Sequence, residues 1–196
     1  MKSPRRRPDP AREPETSAAR RRLVDTATRL FYAGGIHAVG IDRIIAEAGV
    51  AKATFYKHFP SKDDLVVAYI EEQDRLGRAA VAALPDRPPR EMIAAVMDRI
   101  SVAVVVGDWR GCPFLNAAAE YPDRTSPVRR AIEARRTWQH GVLAKLLAAA
   151  GDTDPPVTAS LLVAVSDGLL EMAYLDDAAK VPALVGEAVA RMLDGR

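Results

Sequence analysis

The sequence predicts an all-α protein in two parts: a small amino-terminal three-helix domain carrying a helix-turn-helix, then a larger helical domain, about nine helices in total. Three observations predict this. Apolar residues recur at helical spacing along almost the whole chain. The breaks between those runs are clusters of Pro, Gly and Asp. The β-branched stretch Val102 to Val106 would pass for a buried strand, but no partner strand exists elsewhere, which keeps it in a helix.

In chain order, residues 1–15 hold prolines at 4, 8, 10 and 14 among five cations and almost nothing apolar. That composition cannot offset the entropy of ordering and predicts a disordered basic arm. From about Ser17, Leu23, Ala27, Leu30 and Phe31 share one helical face, and Gly34-Gly35 ends the run. Ile41, Ile44, Ile45 and Ala48 follow the i, i+3, i+4, i+7 pattern of a two-turn helix closed by Gly49. A third short helix, about Lys52 to Phe59, is stopped by Pro60, and Ser61 with Asp64 three residues on opens the next as an approximate capping box. The domains are therefore expected at 16–62 and 63–196. In the second, helices are expected at 90–106, 111–119, 127–149, 156–176 and 182–193. Ser126-Pro127 and Asp154-Pro155-Pro156 mark two starts, with proline in the first helical turn.

A chain of 196 residues with 48% apolar and 28% charged residues has ordinary soluble usage and can build a core without covalent staples. The single cysteine, Cys112, excludes an intramolecular disulfide and a cysteine-based zinc site, and suits a reducing compartment. No apolar run approaches the ~18 residues of a membrane span, and the Arg- and Pro-rich start lacks a signal peptide's apolar stretch. The expectation is a cytoplasmic protein with no membrane partner. The net charge of +2 hides an asymmetry: residues 1–62 carry 13 Lys/Arg against 6 Asp/Glu, and the remainder 15 against 20. A basic first third suggests that one end meets a polyanion.

Residues 41–59 have the layout of a helix-turn-helix, with a tight turn at Gly49-Val50-Ala51. Glycine at 49 permits the left-handed conformation that reverses the chain, and Val50 is placed to plug the gap between the helices. In the second helix Phe55 and Phe59 face inward with Ala53 alongside. That leaves Lys52, Thr54, Tyr56, Lys57 and His58 as a polar, cationic surface of a size that fits the DNA major groove. Arg20, Arg21 and Arg22 fall in the opening turns of the first helix, where the dipole disfavours cations and a nearby phosphate would relieve them. Lys62, at the start of the helix opened by Ser61, is a candidate backbone anchor.

The run Gly49-Val50-Ala51-Lys52-Ala53-Thr54-Phe55-Tyr56-Lys57-His58-Phe59-Pro60-Ser61-Lys62-Asp63-Asp64-Leu65 closely resembles the signature of the tetracycline-repressor (TetR) family. The resemblance covers about residues 17–75, and the later helices only in number and length. It implies a homodimeric transcriptional regulator, usually a repressor, whose divergent helical domain binds a small molecule. It places DNA contacts on Lys52, Thr54, Tyr56, Lys57 and His58, with Lys62 on the backbone. One departure is Val39-Gly40 ahead of Ile41, where family members often have a capping Thr or Ser. The resemblance also implies that an effector shifts the helix after Ser61 and respaces the recognition helices. A two-fold dimer places those helices in successive major grooves, which predicts a palindromic operator.

Residues 156–176 are apolar almost all round, and 184–193 repeat the theme, which is economically explained by a dimer interface through residues 156–193. The helices at 90–106, 111–119 and 127–149 are expected to surround a pocket for a hydrophobic or aromatic effector. Met97, Val104, Phe114 and Trp138 would form its apolar wall, with Ile100 and Val142, and Asn116 and His140 its polar contacts. The alternative for each is simple core packing. Cys112 before a proline in an apolar stretch reads as inert packing rather than a redox sensor. His37, His58 and His140 lie in different elements at no metal-ligand spacing, so no metal and no cofactor is expected. Scattered acidic residues argue against an enzyme. Three rival functions remain: a helical enzyme or ligand-binding protein with secondary DNA binding, a transcriptional activator of the same fold, and a constitutive DNA-packing protein.

Overall fold

The structure, a computed structural model, describes the backbone of residues 12–105 and 109–194 and the side chains of 18–104 and 109–194. The described residues form nine α-helices and no strand: α1 Arg12–Gly34, α2 Ile41–Ala48, α3 Lys52–His58, α4 Lys62–Ala82, α5 Pro89–Val105, α6 Pro113–Glu120, α7 Pro127–Ala149, α8 Pro155–Leu175 and α9 Val181–Asp194. A 3₁₀ turn, Ala178–Lys180, precedes α9. The all-α expectation is met, and helix bounds beyond residue 62 agree to within one or two residues.

The amino end differs. Residues 1–11 of the expected arm lie outside the described residues, but residues 12–15 are helical, so α1 starts a turn earlier than Ser17. Pro14 does not prevent this, because first-turn N–H groups have no intrahelical partner to lose. Arg20, Arg21 and Arg22 consequently lie two turns inside α1, beyond the reach of the end dipole. The end dipole therefore does not act on these three residues, all of which are exposed.

The chain divides into two compact units, residues 1–69 and 70–196, with the division inside α4 rather than at its start. In the first unit α1 packs on α2 and α3, and Leu23, Ala27, Leu30 and Phe31 of α1, Ile44 of α2 and Phe55 of α3 are all buried. Phe31 meets Tyr69 edge-on at 5.8 Å between ring centroids. In the second unit, α5, α7, α8 and α9 share one core built on Ile93, Met97, Leu143, Leu147, Leu162 and Val185. Ser126 caps α7, its hydroxyl accepting from the Arg129 N–H, and Asp154 caps α8 by accepting from the Val157 N–H.

By length and composition α8 could cross a membrane, where no such segment was expected. The polar residues within it, Ser160, Ser166, Asp167 and Glu171, interrupt any continuous apolar run, but they are few against its apolar residues. Leu162, Val163, Ser166 and Ala173 are buried within the second unit, as in the core helix of a helical domain.

Candidate functional site

The turn between α2 and α3 is set by one residue. Gly49 stands at φ +63°, in the left-handed region that a side chain disfavours, and its N–H and that of Val50 close on the carbonyls of Ala46 and Ile45. Val50 is half-buried between the helices. α2 has no side-chain cap, because Gly40 precedes it. α4 has a complete one: the Ser61 N–H and hydroxyl donate to Asp64 at 2.9 and 2.7 Å, and the Asp64 N–H donates back to the Ser61 hydroxyl at 3.2 Å.

α3 is anchored by Phe55, 0% exposed, and by Phe59 just past its end, 6.1 Å away between centroids. Ala53 does not face inward with them; it is exposed. Two residues along a helix is a rotation of about 200°, which carries Ala53 to the opposite side from Phe55. Lys52, Ala53, Tyr56 and Lys57 therefore share the outward face, with Thr54 half-buried at its edge. A small side chain among cations is what close approach to a groove floor requires, and its methyl can meet a thymine methyl.

The flanking cations have defined positions. The Arg20 guanidinium lies 5.3 Å above the Phe59 ring, and Arg21 beside it is exposed. The Lys62 ammonium donates to the His37 carbonyl at 3.5 Å and sits 5.9 Å over the Phe31 ring. Lys52 pairs with Asp42 at 3.1 Å, and that hydrogen bond raises its pKa above the ordinary lysine value. Glu47 accepts from both Arg29 and Arg43, at 2.6 and 2.9 Å, which holds its carboxyl below the usual range. His58 is half-buried with Nε2 covered and unbonded, and burial, then Lys57 and Arg20, push its pKa below 6.5.

The second unit contains a cavity of 300 Å³ between α4, α5, α7, α8 and the start of α6. Phe114 and Trp138 line it, together with Ile100, Val142, Trp109 and Arg135. Met97 and Val104 are instead in the helical core. The Asn116 amide donates to the Arg110 carbonyl at 2.8 Å, and His140 Nε2 bonds the Pro156 carbonyl and Ser160 hydroxyl at 3.0 and 3.2 Å, so both are engaged in local structure. A larger groove of 640 Å³ between α5 and α9 is open to solvent, and its Arg90 is already paired with Asp194.

Sequence reading placed Ala53 on the inner face and passed over Arg135. Arg135 lies in line with Val128 and Ile132, which are buried on α7, but that spacing alone does not tell that the charge is covered. Cys112 is buried at the start of α6, and burial raises its thiol pKa. Among the described residues there is no cluster of metal-ligating side chains.

Comparison with known proteins fits this geometry. Residues 23–69 match the family described as bacterial regulatory proteins, tetR family, and residues 89–189 match the tetracyclin repressor-like C-terminal domain. A solved TetR-family transcriptional regulator from Streptomyces coelicolor is similar, with TM-score 0.87, 44% identity, and coverage of 91% of this chain and 96% of that one. A TetR-type regulator structure from Streptomyces avermitilis has TM-score 0.80 at 28% identity, covering 90% of this chain and 97% of that one. The HTH-type transcriptional regulator LmrA of Bacillus subtilis is 31% identical over 125 residues, which are 61% of this chain and 66% of LmrA, so the match spans about two thirds of that relative. Together with the buried Phe55 anchor, the Gly49 turn and the basic outer face of α3, these matches show that the chain belongs to the TetR family of DNA-binding transcriptional regulators.

Proposed function

We propose that this protein is a homodimeric, cytoplasmic repressor that holds a palindromic operator and releases it when a small, largely apolar effector occupies the 300 Å³ cavity. The observation that carries the proposal is the outward face of α3, where Lys52, Ala53, Tyr56 and Lys57 stand clear of the anchored Phe55. Lys52 and Lys57 reach guanine edges or phosphates, Tyr56, Thr54 and His58 position the backbone, and Lys62, Arg20 and Arg21 hold flanking phosphates.

The dimer reading is supported by α8, whose Val157, Leu161 and Leu175 are 53%, 50% and 73% exposed, and by Leu184 of α9. Val157, Leu161, Ala164, Gly168 and Leu175 recur at the spacing of a helix-packing seam. Residues 156–193 pair with their symmetry mates there, which sets two copies of α3 on one duplex. α4, whose residues belong to both units, is the covalent route by which an occupied cavity reaches α3.

Selection of bound fragments from random duplex DNA tests the proposal. An inverted repeat is the expected product. Fragments without symmetry, or no enrichment over random competitor at moderate salt, would overturn it. In a reporter strain the operator is silenced without effector, and the effector is recovered chemically unchanged; activation or turnover would favour the rival functions.

A further inference from the structure

Arg135 lies in the middle of α7 with 16% of its side chain exposed, and it lines the cavity. Its guanidinium stacks over the Trp138 ring at 4.7 Å and the Phe114 ring at 5.5 Å. Nε and Nη1 are covered and make no hydrogen bond. Nε forms an ion pair with Asp74 Oδ1 at 3.4 Å, an oxygen that is itself covered and without a hydrogen bond, and the other Asp74 oxygen accepts from Arg78 at 2.8 Å. One carboxylate thus stands between two guanidinium groups. Arg136, the next cation on the wall, is taken by Asp167 at 2.8 Å, and Arg99 adds a further positive charge to the lining. Glu171, whose Oε1 is also covered and unbonded, faces Gly111 and is not part of the lining. Burial lowers the pKa of Arg135 more than Asp74 raises it, as expected of a cation short of counter-charge.

We propose that the effector is an aromatic carboxylate, its carboxylate received at the Nη1 end of the Arg135 guanidinium and its ring held among Trp109, Trp138 and Phe114. The end of a guanidinium, with Nη1 covered and unbonded, fits a carboxylate better than any neutral group, and a buried unpaired donor is an arrangement that proteins otherwise avoid. The cavity volume, at the lower end of the ligand-pocket range, suits a molecule of one or two rings. This deepens the proposed function and rests on its reading that an effector enters this cavity.

The test uses the full chain, titrated calorimetrically with cinnamate and with cinnamamide, which differ in charge but hardly in shape. Both tryptophans of the protein, Trp109 and Trp138, line the cavity, so a change in their emission at fixed ligand reports its occupancy. Cinnamate is expected to bind at least roughly tenfold more tightly than the amide. Arg135→Gln is expected to abolish the preference, and Arg135→Lys, which keeps charge but loses the fork, to retain only part of it. Because the acid-to-amide ratio is read on the unaltered protein, a variant that does not fold leaves the test intact. Equal or tighter binding of the amide would overturn the anion assignment while the effector reading stands. Binding of neither into the millimolar range would also overturn it. Tight cinnamate binding without release of the selected operator would leave the anion site standing and sink the effector reading.

Discussion

Lys52 Nζ lies 3.1 Å from Asp42 Oδ1, so the first turn of α3 is tied to the first turn of α2 by an ion pair across the helix-turn-helix. Both side chains are largely exposed, at 63% and 85%, and such a pair contributes little in water. On DNA it competes with phosphate or guanine for the same ammonium. Asp42→Asn is therefore expected to tighten binding to any duplex and steepen its dependence on salt, read by fluorescence anisotropy across a salt series. Unchanged affinity would mean that Lys52 does not reach DNA.

Lys62 is held by the His37 carbonyl and the Phe31 ring at the start of α4. If it anchors one phosphate, Lys62→Ala weakens binding to all sequences alike and lowers the salt slope by ~0.9. A shifted sequence preference with an unaltered slope would remove it from the backbone contacts.

His58 carries a pH prediction for the free protein. Its folded pKa is lowered from 6.5, chiefly by burial. The unfolded chain therefore binds more protons between the two values. The stability from this group is fully present above about pH 6.5 and is lost as pH falls through the lowered folded value. Urea unfolding of the wild type and of His58→Gln over that range checks it: the substitution is expected to flatten the acid side of the profile. An imidazole resonance titrating above 6.5 would reverse the sign.

Much of this was legible because it is local. The Gly49 turn, the Ser61–Asp64 cap and the Ser126-Pro127 start each depend on two or three neighbouring residues, and each stands where the sequence placed it. The early start of α1 was hidden because proline reads as a breaker until its position within the helix is known. Ala53 was misplaced by chemistry: a methyl looks like core, but its angle from Phe55 puts it outside. Arg135 was overlooked among the many charges of α7, since only the packing of α6, α4 and α8 around the cavity shows that this one is covered. Long-range covering of that kind has no local signature.

The exposed apolar seam on α8 predicts the effect of a charge there. Leu161→Glu is expected to yield monomer by analytical ultracentrifugation, with helical content retained because Leu161 is half exposed in the single chain. Binding to an inverted repeat falls steeply, while the weak binding to an isolated half-site persists. A dimer that survives the substitution would move the interface elsewhere.

The central claim is that the outer face of α3 reads base pairs twice on one duplex. Binding-site selection repeated with Lys57→Ala measures this most directly. The account predicts an inverted repeat in which preference is relaxed at one pair of symmetry-related positions, with discrimination falling by about 1–3 kcal/mol at each. Recovery of an unchanged sequence bound uniformly more weakly would contradict it, because Lys57 would then touch only the backbone.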